Sequence, residues 1–244
     1  MNRVGRIIGL TLLMAIAVTA LILALTLPAK KADPLLCQTC HIVIEDEQER
    51  QYLTETELMQ LLQNKHLYPV GKCVDSLSLH AIEELVLEHP MVRTSQCYIT
   101  PQGQLYVCLS QRVPLLKVIT GQNTYFVDTD RLYMPSRSSI TTKVLSVTGQ
   151  PTEAMTCGPL AEMALWLQRN SFWSERIKQI YVRDENYISL IQNDGPRLIL
   201  GKTDDYRRKM SKLQTFYEQY PAPQDSIPYS ALDARFLGQV VGVK

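Results

Sequence analysis

A chain of 244 residues with 25 Lys and Arg against 24 Asp and Glu has room for one large or two small domains and carries almost no net charge. It has no basic tail and no extended Lys/Arg-rich run, so it lacks the electrostatic footprint of a nucleic-acid binder. It shows no low-complexity segment and no internal repeat, which argues against disordered and solenoid classes.

The first element is the uncharged run IIGLTLLMAIAVTALILALTL at 7–27. As a helix it measures roughly 30 Å, the thickness of a bilayer core, and it predicts a transmembrane helix behind a short head at 1–6. A cleaved signal peptide has a shorter apolar core, and the exit TLPAKK is a poor small-residue cleavage site. A lipoprotein reading through Cys37 fails because Leu36 precedes it where a small residue is expected. Arg3 and Arg6 before the run nearly balance Lys30 and Lys31 after it. The short head then favours an internal N-terminus and an exported large domain, a compartment that tolerates six cysteines.

A polar linker at 28–36 leads to Cys37-x-x-Cys40-His41, the spacing of covalent c-type haem attachment. Haem needs those three residues on a helical turn, yet CHIVIE alternates like a strand, which sends Cys40 and His41 to opposite faces. A zinc site with His66 or Cys73 lacks a second paired half. A Cys37–Cys40 redox pair lacks a thioredoxin-like βαβ context, so the bland alternative is burial or a local disulfide without catalysis.

TETE at 54–57 fits a capping box, with Leu58, Leu61 and Leu62 following at helical spacing until LYPVGK interrupts. Asp75 or Ser76 is expected to cap a second helix with the apolar face Leu79, Ile82, Leu85 and Val86, ended by Pro90. MVRTSQCYI and QLYVCLSQR read as strands joined by TPQG. The order strand, helix, helix, strand, strand over 37–112 predicts three strands covered on one face by two helices. Cys97 and Cys108 are expected on opposite faces of the hairpin, which forbids a bridge. His80 and His89 fall on or at the end of the second helix with no nucleophile beside them.

Residues 113–244 read as mostly β. LLKVIT, TYFVD and KVLSV are short strands, and Gly158–Pro159 opens a helix. RIKQIYV, YISLIQ and RLILG form a meander turned at Asn193–Asp194–Gly195. A helix from about Asp204 carries the stripe Tyr206, Met210, Leu213, Tyr217 and Tyr220, read as a helix laid across the sheet rather than an aromatic groove binder. PAPQDSIP is a stiff connector, and YSALDARFLGQVVGVK closes the chain as a strand or strand pair. The whole is α+β. It holds no G-x-S-x-G, no H-E-x-x-H and no Gly-rich phosphate loop, so no enzyme is expected.

This order of elements resembles the bacterial cell-division family FtsQ/DivIB. LYPVGK sits like the turn between the family's two helices, and HPMVRTSQCYITPQGQLYVCLSQRVPLLKV resembles the hairpin closing its POTRA domain, with Arg112–Val113–Pro114 as the exit. TYFVDTDRLYMP with Asp128, VLSVTG with Gly149, NDGPRLILGK and LDARFLGQVV resemble successive strands of its β domain. The head is shorter than in many members, and Phe236 stands where Tyr is commoner. The resemblance implies a non-enzymatic scaffold of the inner membrane at the division septum, without a cofactor. Such a scaffold recruits the FtsB–FtsL pair of bitopic coiled-coil proteins and links early and late division proteins in septal peptidoglycan synthesis. An exposed last strand can accept a partner strand by backbone pairing. On that reading Arg235, Phe236, Gln239, Val240 and Val241 line the docking edge, with Phe236 as anchor and Arg235 fixing charge partners; Phe236 and Val240 as plain sheet core is the alternative. A POTRA-bearing outer-membrane assembly or transport factor is the rival class, but it needs a long barrel-forming run that the remaining length does not offer.

Overall fold

The computed structural model describes residues 3–26, 34–121, 123–220, 227–236 and 238–244. Helix α1 spans Arg3–Thr26. Its described side chains, at residues 9–23, are exposed. Among the described residues no helix is long and apolar enough to cross a membrane. The expected span at 7–27 is thus helical where described, without being established as a span. Head residues 1–2, linker residues 28–33 and connector residues 221–226 lie outside the described residues.

The alternation of CHIVIE produces β1 (Thr39–Ile44), which buries Cys40, Ile42 and Ile44 and exposes His41 and Val43. A parallel neighbour requires a crossover. Here the crossover contains α2 (Glu55–Asn64) and α3 (Leu79–Leu87) before β2 (Val92–Ile99) and β3 (Gln104–Gln111). The three strands lie in the order β1-β3-β2, with β1 parallel and β2 antiparallel to β3. The capping box forms: Thr54 Oγ1 accepts from Glu57 N–H at 3.3 Å, and the Glu57 carboxylate accepts from Thr54 N–H at 3.0 Å. The cap of α3 differs from expectation. Ser78 accepts from Ala81 N–H at 3.2 Å, while Asp75 and Ser76 lie in a 3-10 turn (Val74–Ser76) just before it. Leu58, Leu62, Ile82 and Val86 from the helices meet Leu105, Val107 and Leu109 of β3 in one core. Each such buried aliphatic side chain contributes about 1.5–3 kcal/mol of transfer free energy.

The second domain is a nine-stranded sheet. Its strands are β4 (Pro114–Thr120), β5 (Asn123–Asp128), β6 (Tyr133–Pro135), β7 (Leu145–Gly149), β8 (Ile177–Asp184), β9 (Tyr187–Gln192), β10 (Arg197–Gly201), β11 (Ala231–Asp233) and β12 (Val241–Val243). They lie in the order β12-β11-β10-β9-β8-β7-β4-β5-β6. Strands β5 and β6 pair as the antiparallel hairpin that TYFVDTDRLYMP implied through its resemblance, although three residues of β6 show no alternation of their own. The helix expected to open at Gly158–Pro159 begins earlier. Thr152 caps α4 (Glu153–Met155), a π turn (Thr156–Leu160) follows, and α5 (Ala161–Arg169) completes it. Pro159 lacks an N–H, so the hydrogen-bond ladder is interrupted there, and Gly158 takes up the distortion at φ −105° and ψ −110°. Helix α6 (Tyr206–Gln219) buries Tyr206, Met210 and Leu213 in the sheet core, as the stripe implied.

The two domains share a third apolar cluster, in which Tyr52 and Met91 of the first meet Phe126, Met134 and Ile140 of the second. Polar contacts surround it. Tyr52 Oη and Thr142 Oγ1 lie 2.6 Å apart, and Arg137 Nη1 donates to the Tyr52 carbonyl at 3.1 Å and to Glu57 Oε1 at 2.9 Å. Arg112 Nη1 donates to Asp128 Oδ2 at 2.7 Å, and Arg93 forks onto Asp130 at 2.7 and 2.8 Å.

Candidate functional site

At one edge of the large sheet the last strands are short. Strand β11 runs parallel to β10, and β12 lies antiparallel outside it, paired Ala231 with Val243, Leu232 with Gly242 and Asp233 with Val241. β12 is the outermost strand, so among the described residues one row of its backbone N–H and C=O groups has no sheet partner. Val241 and Val243 on it are 38% and 41% exposed. Gly242 between them lies over Tyr229: a Cβ there would come within 2.6 Å of the ring. The glycine is what lets the edge strand lie flat on that aromatic face.

The segment between β11 and β12 is irregular, and this alters the expected site. Val241 alone stands on the edge strand; Arg235, Phe236, Gln239 and Val240 belong to the loop that precedes it. Phe236 is 46% exposed, so it is not sheet core, whereas Val240 is half-buried against the core. Arg235 is already engaged. Its Nε and Nη2 donate to the Asp233 carboxylate at 3.0 and 2.6 Å. Burial pushes the Asp233 carboxyl up, but its hydrogen bonds to Arg235 outweigh that and hold it below the usual carboxylate range. The same pairing raises the Arg235 guanidinium.

Sequence reading missed the residue that holds the loop. Lys212 of α6 donates to the carbonyls of Ala234 at 3.0 Å, Phe236 at 2.5 Å and Gln239 at 3.4 Å. Burial, then the charges of Arg208 and Lys209, lower its pKa. Arg183 lies 4.0 Å over the Tyr187 ring, and Arg235 lies 5.9 Å from both Tyr187 and Phe236. The edge therefore ends in a small aromatic and cationic surface. Of the residues that sequence reading did not single out here, only Asp233 carried a signal, through its Asp-x-Arg spacing to Arg235.

The cysteine motif is built differently from a haem site. Cys37 and Cys40 are buried in the first core, and His41 points the other way, stacked 5.0 Å from the ring of Tyr106. All six cysteines are free thiols. Cys97 packs toward the core, and Cys108 pairs with Gln96 rather than with Cys97, so the expected divergence is borne out. Burial, then Cys37 and Glu55, push the Cys40 thiol up to about 11; burial and Glu83 push Cys97 up to about 12. Among the described residues no group of three or more His, Cys, Asp or Glu could hold a metal ion.

The family model described as FtsQ/DivIB, C-terminal related, matches residues 113–243, and a POTRA-like domain model matches residues 35–110. No curated protein matches the chain. Among solved structures, the major extracytoplasmic domain of the trans isomer of the bacterial cell division protein DivIB from Geobacillus stearothermophilus is similar at 16% identity. That similarity covers 45% of this chain and 88% of that one at a TM-score of 0.29, which adds no weight to the family match.

Proposed function

Because the chain belongs to the FtsQ/DivIB, C-terminal related family, whose model matches more than half of it, we propose that it is a non-enzymatic cell-division scaffold of the inner membrane. The apolar run at 7–27 anchors it, with the N-terminus inside and both folded domains outside at the septum. It recruits FtsB–FtsL-like bitopic coiled-coil proteins and connects early and late division proteins to septal peptidoglycan synthesis. The observation that carries this reading is the outermost position of β12. A partner segment adds to it as a further strand, with Val241 contributing the edge and Phe236 the anchor. Gln239 and Val240 shape the approach, and Arg235, held by Asp233, presents a fixed positive charge.

The test is affinity capture of the tagged full-length chain from gently solubilised membranes, with the recovered proteins identified by mass spectrometry. Two small single-span coiled-coil proteins are expected with the wild type and absent with Phe236→Glu, once circular dichroism shows the variant folded. Their persistence with the variant would move the docking edge elsewhere. Failure to recover any division protein would sink the scaffold reading.

A further inference from the structure

A second concave surface lies at the other side of the sheet, separated from the β12 edge by β9, β10 and β11. It is a groove of about 790 Å³ between the segment leading into β7 and the turn leading into β8. That size falls within the range of about 300–1,000 Å³ found for preformed binding clefts. Three lysines line it, Lys117 of β4, Lys143 before β7 and Lys178 of β8, against one acid, Glu175. Among the described residues none of the three ammonium groups has an ion-pair or hydrogen-bond partner within the chain.

Two features mark the groove as more than a solvated lysine face. The ladder between β8 and β9 shifts register between Ile177 and Gln179, and the residue left over by the shift is Lys178. A bulge of this kind re-aims a side chain that regular pairing would fix elsewhere. The second feature is Trp173, which lines the groove, is fully buried, and has an indole N–H without a hydrogen-bond partner. Indole nitrogen only donates, and a buried donor left unpaired costs about 1–3 kcal/mol. The three lysines, two of them exposed, call for an acceptor-rich anionic ligand.

The floor narrows the class. Val144 and Leu145 are half-buried on it, over the buried Ile140, Leu167 and Ile177, and they leave some apolar surface open for which a bare polyphosphate or a lipid headgroup has no use. We propose that this groove docks an extended acidic peptide segment of a partner protein, one that alternates carboxylate with apolar side chains. One wall is rigidly held, because Thr142 on it bonds Tyr52 across the domain junction. The site does not depend on the β12 edge.

The test uses the full-length chain in neutral detergent and a labelled octapeptide, Glu-Leu-Glu-Ala-Glu-Leu-Glu-Ala, with its Lys-for-Glu counterpart, inorganic polyphosphate and anionic lipid vesicles as competitors. The expected result is saturable, salt-sensitive binding of the acidic peptide alone. Binding should weaken at least tenfold in the triple variant Lys117→Glu, Lys143→Glu, Lys178→Glu, which should gain binding of the Lys counterpart. The single change Lys178→Glu, at an exposed bulge, serves if the triple variant does not fold, with a smaller loss expected. Binding unchanged by these reversals, no binding at low salt, or displacement of the peptide by polyphosphate or vesicles at lower concentration would each overturn the proposal. Coiled-coil partner capture through β12 should be unaffected by Lys178→Glu, which separates failure here from failure of the scaffold reading.

Discussion

Arg235 is clamped to Asp233: Nε lies 3.0 Å from each carboxylate oxygen, Nη2 lies 2.6 Å from Oδ2, and the Arg235 backbone N–H also reaches Oδ1 at 3.0 Å. The carboxylate side chain is 6% exposed and the guanidinium 45%. Removing the arginine leaves a buried carboxylate without its strongest partner. Because the guanidinium is half in solvent, Arg235→Ala should cost about 1–2 kcal/mol rather than the larger loss of a fully buried pair. Asp233 is held below its ordinary value, so the contribution is complete above about pH 3.9 and disappears as pH falls through the lowered value. Urea unfolding of wild type and variant should differ at pH 7 and converge in strong acid. A gap that does not narrow as pH falls below about 3.9 would refute the ionic origin.

Gly242 and Tyr229 predict a separation of stability from docking. A side chain at Gly242 collides with the Tyr229 ring, which packs against the backbone of β12. Only three residues of β12 pair with the sheet, so lifting it forfeits few contacts. Gly242→Val should therefore leave the thermal midpoint within about 4 °C of wild type, a change near 1 kcal/mol or less, while reducing partner capture by tenfold or more. Adding Tyr229→Ala removes the obstruction and should restore part of the binding, a coupling that a double-mutant cycle reads directly.

The core of this fold was legible where side-chain period and burial coincide. CHIVIE, QLYVCLSQ and the Tyr206–Met210–Leu213 stripe all bury the faces their spacing implied. The helix start before Gly158–Pro159 was not legible, because a π turn lets the chain pass through residues that ordinarily end or begin a helix. At the candidate site, ALDARFLGQVVGVK alternates enough to read as one strand or a simple pair. It does form the strand pair β11–β12, but each strand keeps only three residues, because Gly238 at φ 77° and the three carbonyls gathered on Lys212 make the joining segment a long loop. A lysine more than twenty residues away in sequence leaves no local trace of that role.

The domain junction should weaken in mild acid. His89 Nδ1 accepts a hydrogen bond from the Met91 N–H at 3.3 Å, beside the apolar cluster that joins the two domains. Burial first, then the Arg137 guanidinium, lowers the His89 pKa, with Glu57 opposing. The folded state thus favours neutral His89. Its contribution is full above the ordinary value near 6.5 and declines as pH falls from there through the lowered value. Unfolding midpoints should drop between pH 7.5 and 5.5, and His89→Gln, which keeps an acceptor but cannot titrate there, should flatten that slope. Met91→Ala should cost about 2–5 kcal/mol and split a shared unfolding transition into two, since Met91 is fully buried in the junction.

The thiols of Cys40 and Cys97 should behave as core groups rather than as reagents. Thiolate, not thiol, attacks electrophiles, and burial has pushed Cys40 to about 11 and Cys97 to about 12. At pH 8 both should resist iodoacetamide in the folded chain and label only in denaturant. Cys73 and Cys108, half-buried at the surface, should label first, with positions assigned by mass spectrometry. The same experiment decides the C-x-x-C-H motif, because Cys40 faces the core while His41 stacks on Tyr106 outside. Haem attached through Cys37 and Cys40 would require β1 to unwind and its buried face to turn outward. Purified protein with a haem absorption band, or Cys40 labelled as fast as Cys108, would contradict the strand that this whole first domain is built on.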